Sequence, residues 1–199
     1  MSTVLLATRN KKKLGELDRI LAATGVTGLT VIGLCDVPEF PEAPETGETF
    51  ESNALAKARD AVAATGLPTV ADDSGLAVDA LNGMPGVLSA RWAGRHGDDQ
   101  ANLDLVLAQL ADVPDERRGA AFVCAAALVT PDGREHVVRG TWAGRLTRAA
   151  RGANGFGYDP IFVPEGHTVT SAELDPDRKN ELSHRGIALR LLLPELRGL

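Results

Sequence analysis

Two long stretches that read as β-strand, 120–130 and 135–147, are separated by Pro131-Asp132-Gly133, and this pairing constrains the fold more than any other feature of the chain. The turn residues fold one extended run back beside the other, so the segment is a β-hairpin, and strands this long need a sheet to lie in. Upstream the hydrophobic period alternates. Residues 3–8 are a short apolar run, after which Leu14, Leu17, Ile20 and Leu21 fall on one helical face, with Asn10 able to cap the start and Gly25 beyond the end. Residues 29–33 are again strand-like, and 37–49, rich in Pro, Glu and Gly, read as loop. Thr49 opens a second helix with Phe50, Leu55, Ala58 and Val62 inward, and Gly66-Leu67-Pro68 stops it. A strand at 69–71 runs into Asp72-Asp73-Ser74-Gly75. Asp98 or Asp99 can cap a helix that buries Leu103, Val106, Leu107 and Leu110. After the hairpin come a Gly-rich loop at 151–159 and a short strand at 161–163. Asp175-Pro176 then starts the last helical region, which carries Leu189, Leu192 and Leu193 and which Ser183 can divide. Strand–helix alternation followed by a hairpin predicts an α/β fold: one mixed sheet with helices on both faces and a ligand cleft between two lobes.

Bulk properties narrow the function. A chain of 199 residues with 44% hydrophobic and 24% charged residues can bury a full core, as one domain over 1–199 or two closely joined lobes. The net charge of −6 argues against a polymeric nucleic-acid partner, whose binding draws on a basic surplus, but leaves room for a small phosphate ligand in a local basic pocket. Cys35 and Cys124 are far apart and in no C-x-x-C pair, so neither a disulfide framework nor a zinc site is expected; both read as small core residues. The N-terminus lacks the order of a signal peptide, and the longest apolar run, 120–129, is too short to span a bilayer. The expected setting is cytoplasmic, with no membrane partner.

Four groups of residues carry candidate chemistry. Thr8, Arg9, Asn10, Lys11, Lys12 and Lys13 lie where a strand ends and a helix begins, a place where backbone N–H groups and positive charge favour phosphate; a solvated basic first turn accounts for the same residues. Cations there oppose the helix dipole, which hints at a use beyond folding. In Ala71-Asp72-Asp73-Ser74-Gly75, adjacent carboxylates at the end of a buried strand are costly unless paired, hydrated or bound to a cation such as Mg²⁺. On its own the motif reads first as an Asx turn ending the strand. Strand geometry sends the two side chains to opposite faces, so one of the pair faces a given pocket and the other caps or orients. Glu45 offers a further carboxylate, and Lys57 shares a helical face with Asn53. In Gly155-Phe156-Gly157-Tyr158-Asp159-Pro160, two glycines permit close backbone approach. Two of the chain's few aromatics could stack on a nucleobase, and Asp159 could accept from a base N–H; a tight loop pinned by its aromatics fits equally. Lys179, His184 and Arg185 can donate to keto or phosphate oxygens. P-loop, dinucleotide-binding and nucleophile-elbow motifs are absent, as is the acidic box of the Nudix hydrolases.

Taken together and in order, these segments resemble the ITPase family of non-standard purine nucleoside-triphosphate pyrophosphatases (XTP/dITP diphosphatases), nearly end to end. The resemblance is carried by Thr8-x-Asn10-x-x-Lys13, Glu45-Thr46-Gly47, Phe50-x-x-Asn53-Ala54-x-x-Lys57-Ala58 and Ala71-Asp72-Asp73-Ser74-Gly75-Leu76. It continues through Pro85-Gly86-Val87-x-Ser89-Ala90-Arg91, Gly155-Phe156-Gly157-Tyr158-Asp159-Pro160, Lys179 and Ser183-His184-Arg185. Ser52 departs from it, standing where the family commonly has an acidic residue.

The resemblance implies a long central mixed sheet with flanking helices, two lobes around an active-site cleft, and a homodimer. The implied reaction is Mg²⁺-dependent hydrolysis of ITP, dITP or XTP to the monophosphate and pyrophosphate. It further implies that the segment from Thr8 through Lys13 grips the triphosphate and Lys57 contacts phosphate. Asp73 is implied as general base and metal ligand, Glu45 as its partner at the metal, and Ser74 as a substrate contact. Phe156, Gly157, Tyr158, Asp159, Lys179, His184 and Arg185 are implied to form the base pocket. Competing readings are a phosphatase releasing orthophosphate, a nucleotide sensor without turnover, and a nucleic-acid binder.

Overall fold

In the computed structural model, which describes residues 2–41 and 44–199, six strands form one sheet in the order β2-β1-β3-β4-β5-β6. The strands are β1 (Ser2–Leu6), β2 (Leu29–Gly33), β3 (Thr69–Val78), β4 (Gly119–Val129), β5 (Glu135–Leu146) and β6 (Phe162–Pro164). β1 runs parallel to β2 and β3, while β5 and β6 are antiparallel, so the sheet is mixed. The helices are α1 (Lys11–Ala23), α2 (Phe50–Thr65), α3 (Asp99–Gln109), α4 (Pro176–Leu182) and α5 (His184–Leu196). The chain divides into two compact units: 1–73 with 124–140 and 185–199, and 74–123 with 141–184.

In the first unit, the alternation of β1 assigns its two faces. Val4 and Leu6 join a core with Val70, Cys124, Ala126 and Leu128, covered by Leu17 and Leu21 of α1 and Leu189, Leu192 and Leu193 of α5. Leu5 faces the other way, onto Leu34 and Ala61 of α2. Each fully buried leucine contributes about 2 kcal/mol, so packing on both faces, rather than intrinsic propensity, holds these short strands. α2 is well delimited: Thr49 Oγ accepts from the Ser52 N–H, the Ser52 side chain accepts from the Thr49 N–H, and Gly66 ends the helix with φ +67°. Its buried face is Phe50, Asn53, Ala54, Ala58 and Ala61, rather than the larger Leu55 and Val62 that periodicity selects. Small residues bring the helix close to the sheet.

The second unit packs Leu76 and Val78 of β3, Leu103, Val106 and Leu110 of α3, Phe122, Trp142 and Leu146 of the hairpin, and Tyr158, Ile161 and Phe162. Arg118 is buried there, and its guanidinium donates to the carbonyls of Leu110, Leu146 and Thr147 at 2.7–3.1 Å. α3 is capped by Asp98, which accepts from the Ala101 N–H, and α4 by Asp175.

Two further expectations change. Asp72 and Asp73 do not end a strand in an Asx turn: β3 continues through them to Val78, since Leu76 and Val78 bury as strand residues. Cys35 is exposed beyond β2 instead of lying in the core, whereas Cys124 is buried. Among the described residues no helix is long and apolar enough to cross a membrane.

Candidate active site

Because β3 is extended through Asp72 and Asp73, their side chains leave on opposite faces, and each finds a different set of partners within the first unit. Asp72 points to the α1/α5 side. Lys13 Nζ donates to both of its oxygens, at 3.0 and 2.9 Å, and Arg185 Nε donates to Oδ2 at 3.2 Å. Glu16 adds a second carboxylate, 4.0 Å from the Arg185 guanidinium, and its Oε1 has no hydrogen-bond partner among the described residues. Burial works to raise the Asp72 pKa, yet Lys13 and Arg185 outweigh it and hold this carboxyl well below the usual carboxylate range. Glu16 goes the other way: burial raises its pKa, and Arg185 offsets only part of that.

Asp73 points to the α2 side. Asn53 Nδ2 donates to Asp73 Oδ2 at 2.9 Å, Lys57 Nζ lies 3.6 Å from Oδ1, and the same ammonium is paired with Glu45. Lys57 also donates to the Asp72 carbonyl at 3.3 Å. Burial pushes the Asp73 carboxyl above its ordinary value, and Lys57 and Asn53 offset this incompletely. For Lys57 the balance is reversed: burial disfavours its charge, but Asp73 and Glu45 hold its pKa above the usual lysine value. Among the described residues, Glu45 and Asp73 share the Lys57 ammonium, whereas Asp72 is paired with both Lys13 and Arg185. Hard oxygen donors converging with a surplus of negative charge suit a Mg²⁺ ion, which takes one or two carboxylates and completes its shell with water and phosphate. The residues present fit that ion.

The strand-to-helix segment begins with Thr8, whose Oγ1 accepts from the Asn10 N–H at 3.1 Å, and the Asn10 carbonyl accepts from the N–H groups of Lys13 and Leu14. Arg9 is exposed, 3.7 Å from Glu39. Lys13 turns inward to Asp72. The side chains of Lys11 and Lys12 lie outside the described residues. Ser52, the departure noted above, is exposed and closes the α2 capping box.

The residues expected around a nucleobase divide. Phe156 is 62% exposed, with the Lys179 ammonium 5.3 Å from its ring centroid. Tyr158 is buried instead, its hydroxyl donating to the Ser89 carbonyl at 2.8 Å, so one aromatic pins the loop and the other is presented. Asp159 is buried as well. Its Oδ1 accepts from Ser171 at 2.7 Å, and its Oδ2 accepts from the Phe156 N–H at 2.9 Å and from Lys179 at 2.5 Å. These donors make it an anchor of the loop. Gly155 is required here: its φ is +81°, and a Cβ would stand 2.8 Å from Asp159 Cγ and 2.9 Å from Lys179 Nζ. Gly157 donates its N–H to Asp99 at 2.9 Å. The His184 ring stacks on Phe122, centroids 5.0 Å apart. Arg185 lies in the first unit, with Asp72 and Glu16. Ser74 follows Asp73 on β3, partly exposed.

Sequence reasoning missed Asn53 as a partner of Asp73, Glu16 beside Arg185, and Asp99 and Ser171 as supports of the 155–159 loop. Asn53 had a usable signal, a polar residue on the inward face of α2 one turn before Lys57; the others meet partners 12 to 169 positions away, and no spacing announces such contacts.

The chain belongs to the Ham1 family, whose profile matches residues 4–195. The dITP/XTP pyrophosphatase of Nocardia farcinica is 67% identical over 199 residues, covering 100% of this chain and 97% of that protein. The dITP/XTP pyrophosphatase of Streptomyces coelicolor is 58% identical, covering 100% and 99%. Among solved structures, the nucleoside-triphosphatase, or dITP/XTP pyrophosphatase, of Mycobacterium abscessus is similar with a TM-score of 0.83 at 64% identity, covering 98% of this chain and 99% of that one. A HAM1 protein from Coxiella burnetii gives 0.89 at 42%, covering 100% of both.

Proposed function

We propose that residues 1–199 act as one pyrophosphatase domain that hydrolyses non-standard purine nucleoside triphosphates (ITP, dITP and XTP) to the monophosphate and pyrophosphate. The observation that carries this reading is the Glu45–Lys57–Asp73 cluster: two carboxylates and a charged lysine, partly buried and held by one helix face, on a family member whose named relatives are dITP/XTP pyrophosphatases. Glu45 and Asp73 would hold Mg²⁺, which when bound neutralises phosphate charge and lowers the pKa of coordinated water. Asp73, its pKa raised by burial, is suited to take a proton from the attacking water. Lys57 stays charged and meets phosphate, and Lys13, fixed on Asp72, keeps a second ammonium beside the strand-to-helix turn of Thr8, Arg9 and Asn10.

In the second unit, Phe156 offers a face on which a purine can stack, and Lys179 a donor for a 6-keto oxygen. Adenine lacks that oxygen, and a site built to hydrogen-bond a group rejects an analogue without it by about 10⁴-fold. Ser74 and His184 are proposed as further substrate contacts, with Gly157 holding the turn of the base loop. The setting we propose is cytoplasmic, the assembly a homodimer, and the partner a small nucleotide rather than nucleic acid.

Product analysis tests the reaction. With ITP and Mg²⁺ the expected products are IMP and pyrophosphate, with ATP left nearly intact; IDP and orthophosphate would identify a phosphatase, and binding without turnover a sensor. Phe156→Ala is expected to raise KM for ITP about tenfold, the size of a lost stacking contact of ~1–3 kcal/mol, with the melting temperature unchanged because the ring is exposed. An unchanged KM would remove the stacking role.

A further inference from the structure

We propose that Asn53 is a positioning residue for the reaction, fixing the orientation of the Asp73 carboxylate and tying it to the loop that carries Glu45. The inference deepens the pyrophosphatase reading and rests on it. Asn53 is 2% exposed. Its Nδ2 donates to Asp73 Oδ2 at 2.9 Å, and its Oδ1 accepts from the Gly47 N–H at 2.8 Å. The amide orientation is forced, because a backbone N–H can only donate and a carboxylate only accept. Asn53 precedes Lys57 by one helical turn, so the two oxygens of Asp73 face two residues of one helix face: Asn53 at Oδ2 and Lys57 at Oδ1. A carboxylate held at both oxygens cannot rotate freely about its last bond. At the other end, Gly47 lies two residues from Glu45, and a Cβ there would collide with the Ser52 hydroxyl and stand 2.5 Å from Asn53 Oδ1 and 3.1 Å from its backbone N. Glycine is needed at this position for close approach. One buried amide therefore ties Asp73 on β3 to the backbone of the loop that carries Glu45, and these two carboxylates flank Lys57.

No other side chain of this length carries a donor and an acceptor on two separate atoms, as the bonds to Asp73 and Gly47 require. Aspartate keeps the acceptor for Gly47 and places a charge against Asp73; leucine, of similar volume, keeps neither bond. A displacement of about 1 Å at a reacting group costs on the order of 10²-fold in rate, whereas binding through distant groups is spared.

The test measures kcat and KM for ITP by pyrophosphate release at saturating Mg²⁺, with melting temperatures, for wild type, Asn53→Asp, Asn53→Leu, Gly47→Ala and the exchange Asn53→Asp/Asp73→Asn. Folded Asn53 variants are expected to lose about 10²-fold in kcat with KM changed by less than about threefold. Gly47→Ala, which leaves the amide intact but pushes it aside, is expected to lose kcat in the same way. The exchange restores a hydrogen bond with donor and acceptor reversed, so it should recover melting temperature over Asn53→Asp without recovering kcat. A residue serving stability alone would lower the melting temperature and leave the kcat of the folded fraction intact, and that result overturns the inference. It is also overturned if Asn53→Asp or Gly47→Ala, once folded, keeps kcat within about threefold. A wild-type protein that releases no pyrophosphate from ITP would instead sink the reading beneath it, whatever the variants do.

Discussion

Asp73→Asn should lower kcat for ITP by about 10³-fold or more while the variant melts at or above the wild-type temperature. Both halves follow from the same environment. A general base contributes about 10²–10⁴-fold, and a residue that also holds the activating ion adds to that, because an amide neither takes a proton from water at neutral pH nor balances a divalent charge. Stability moves the other way. Burial raises the Asp73 pKa above that of the unfolded chain, so the folded protein binds this proton more tightly. The group's contribution to stability is full below the unfolded pKa and is lost as pH rises through the folded one. At neutral pH the ionised carboxylate is thus a net burden in the metal-free protein, and asparagine removes it. Asn53 can still pair with the new amide through its oxygen, and Lys57 keeps Glu45. The measurement is kcat by pyrophosphate release together with a melting curve in chelator. Near-normal kcat in the folded variant would exclude Asp73 as base and ligand. A large fall in melting temperature would instead mean that Lys57 and Asn53 outweigh burial.

Local signals in the sequence were enough for much of the fold. The strand at 29–33 appears at those positions, Thr49 and Gly66 bound α2, and the turn at 131–133 joins the two hairpin strands, because caps, turns and short apolar runs act within a few residues. The alternation rule also separates Asp72 from Asp73. It could not say which face held what. That depends on α1 and α5 packing on one side of β1 and α2 on the other, a consequence of burying Val4 and Leu6 against one core and Leu5 against another. Arg185 shows the same limit: it adjoins His184 in the chain, yet its charge is spent on a carboxylate 113 positions away. An acid in a Gly-rich loop invites a ligand reading, and no spacing announces that Asp159 also anchors the loop through Ser171, Lys179 and the Phe156 N–H.

Removing the carboxylate of Asp72 should be the most destabilising single change in this group, by about 3–5 kcal/mol for Asp72→Ala, the cost of leaving a buried charge without its partner. For a chain of this size that lowers the melting temperature by roughly 6–20 °C. The two cations left behind differ. Lys13 has a flexible stem and a side chain 23% exposed, so its ammonium can swing into water. The Arg185 side chain is 11% exposed, its guanidinium always charged, and Glu16 stands 4.0 Å away, so it carries most of the penalty. Replacing the pair together, Asp72→Leu with Arg185→Leu, should therefore recover much of the loss. Glu16 would then lack Arg185 but, with its pKa already raised by burial, can take up a proton instead. The pH dependence separates this from a packing effect. Asp72 has a folded pKa below its unfolded value, so its stabilisation is present above about pH 4 and fades as pH falls through the folded pKa. Wild type and Asp72→Ala should consequently differ widely at pH 7 and converge in strong acid. A gap of constant size down to pH 2 would assign the loss to the cavity left by the side chain, and a gap under about 1 kcal/mol at pH 7 would show that Lys13 and Arg185 do not depend on Asp72.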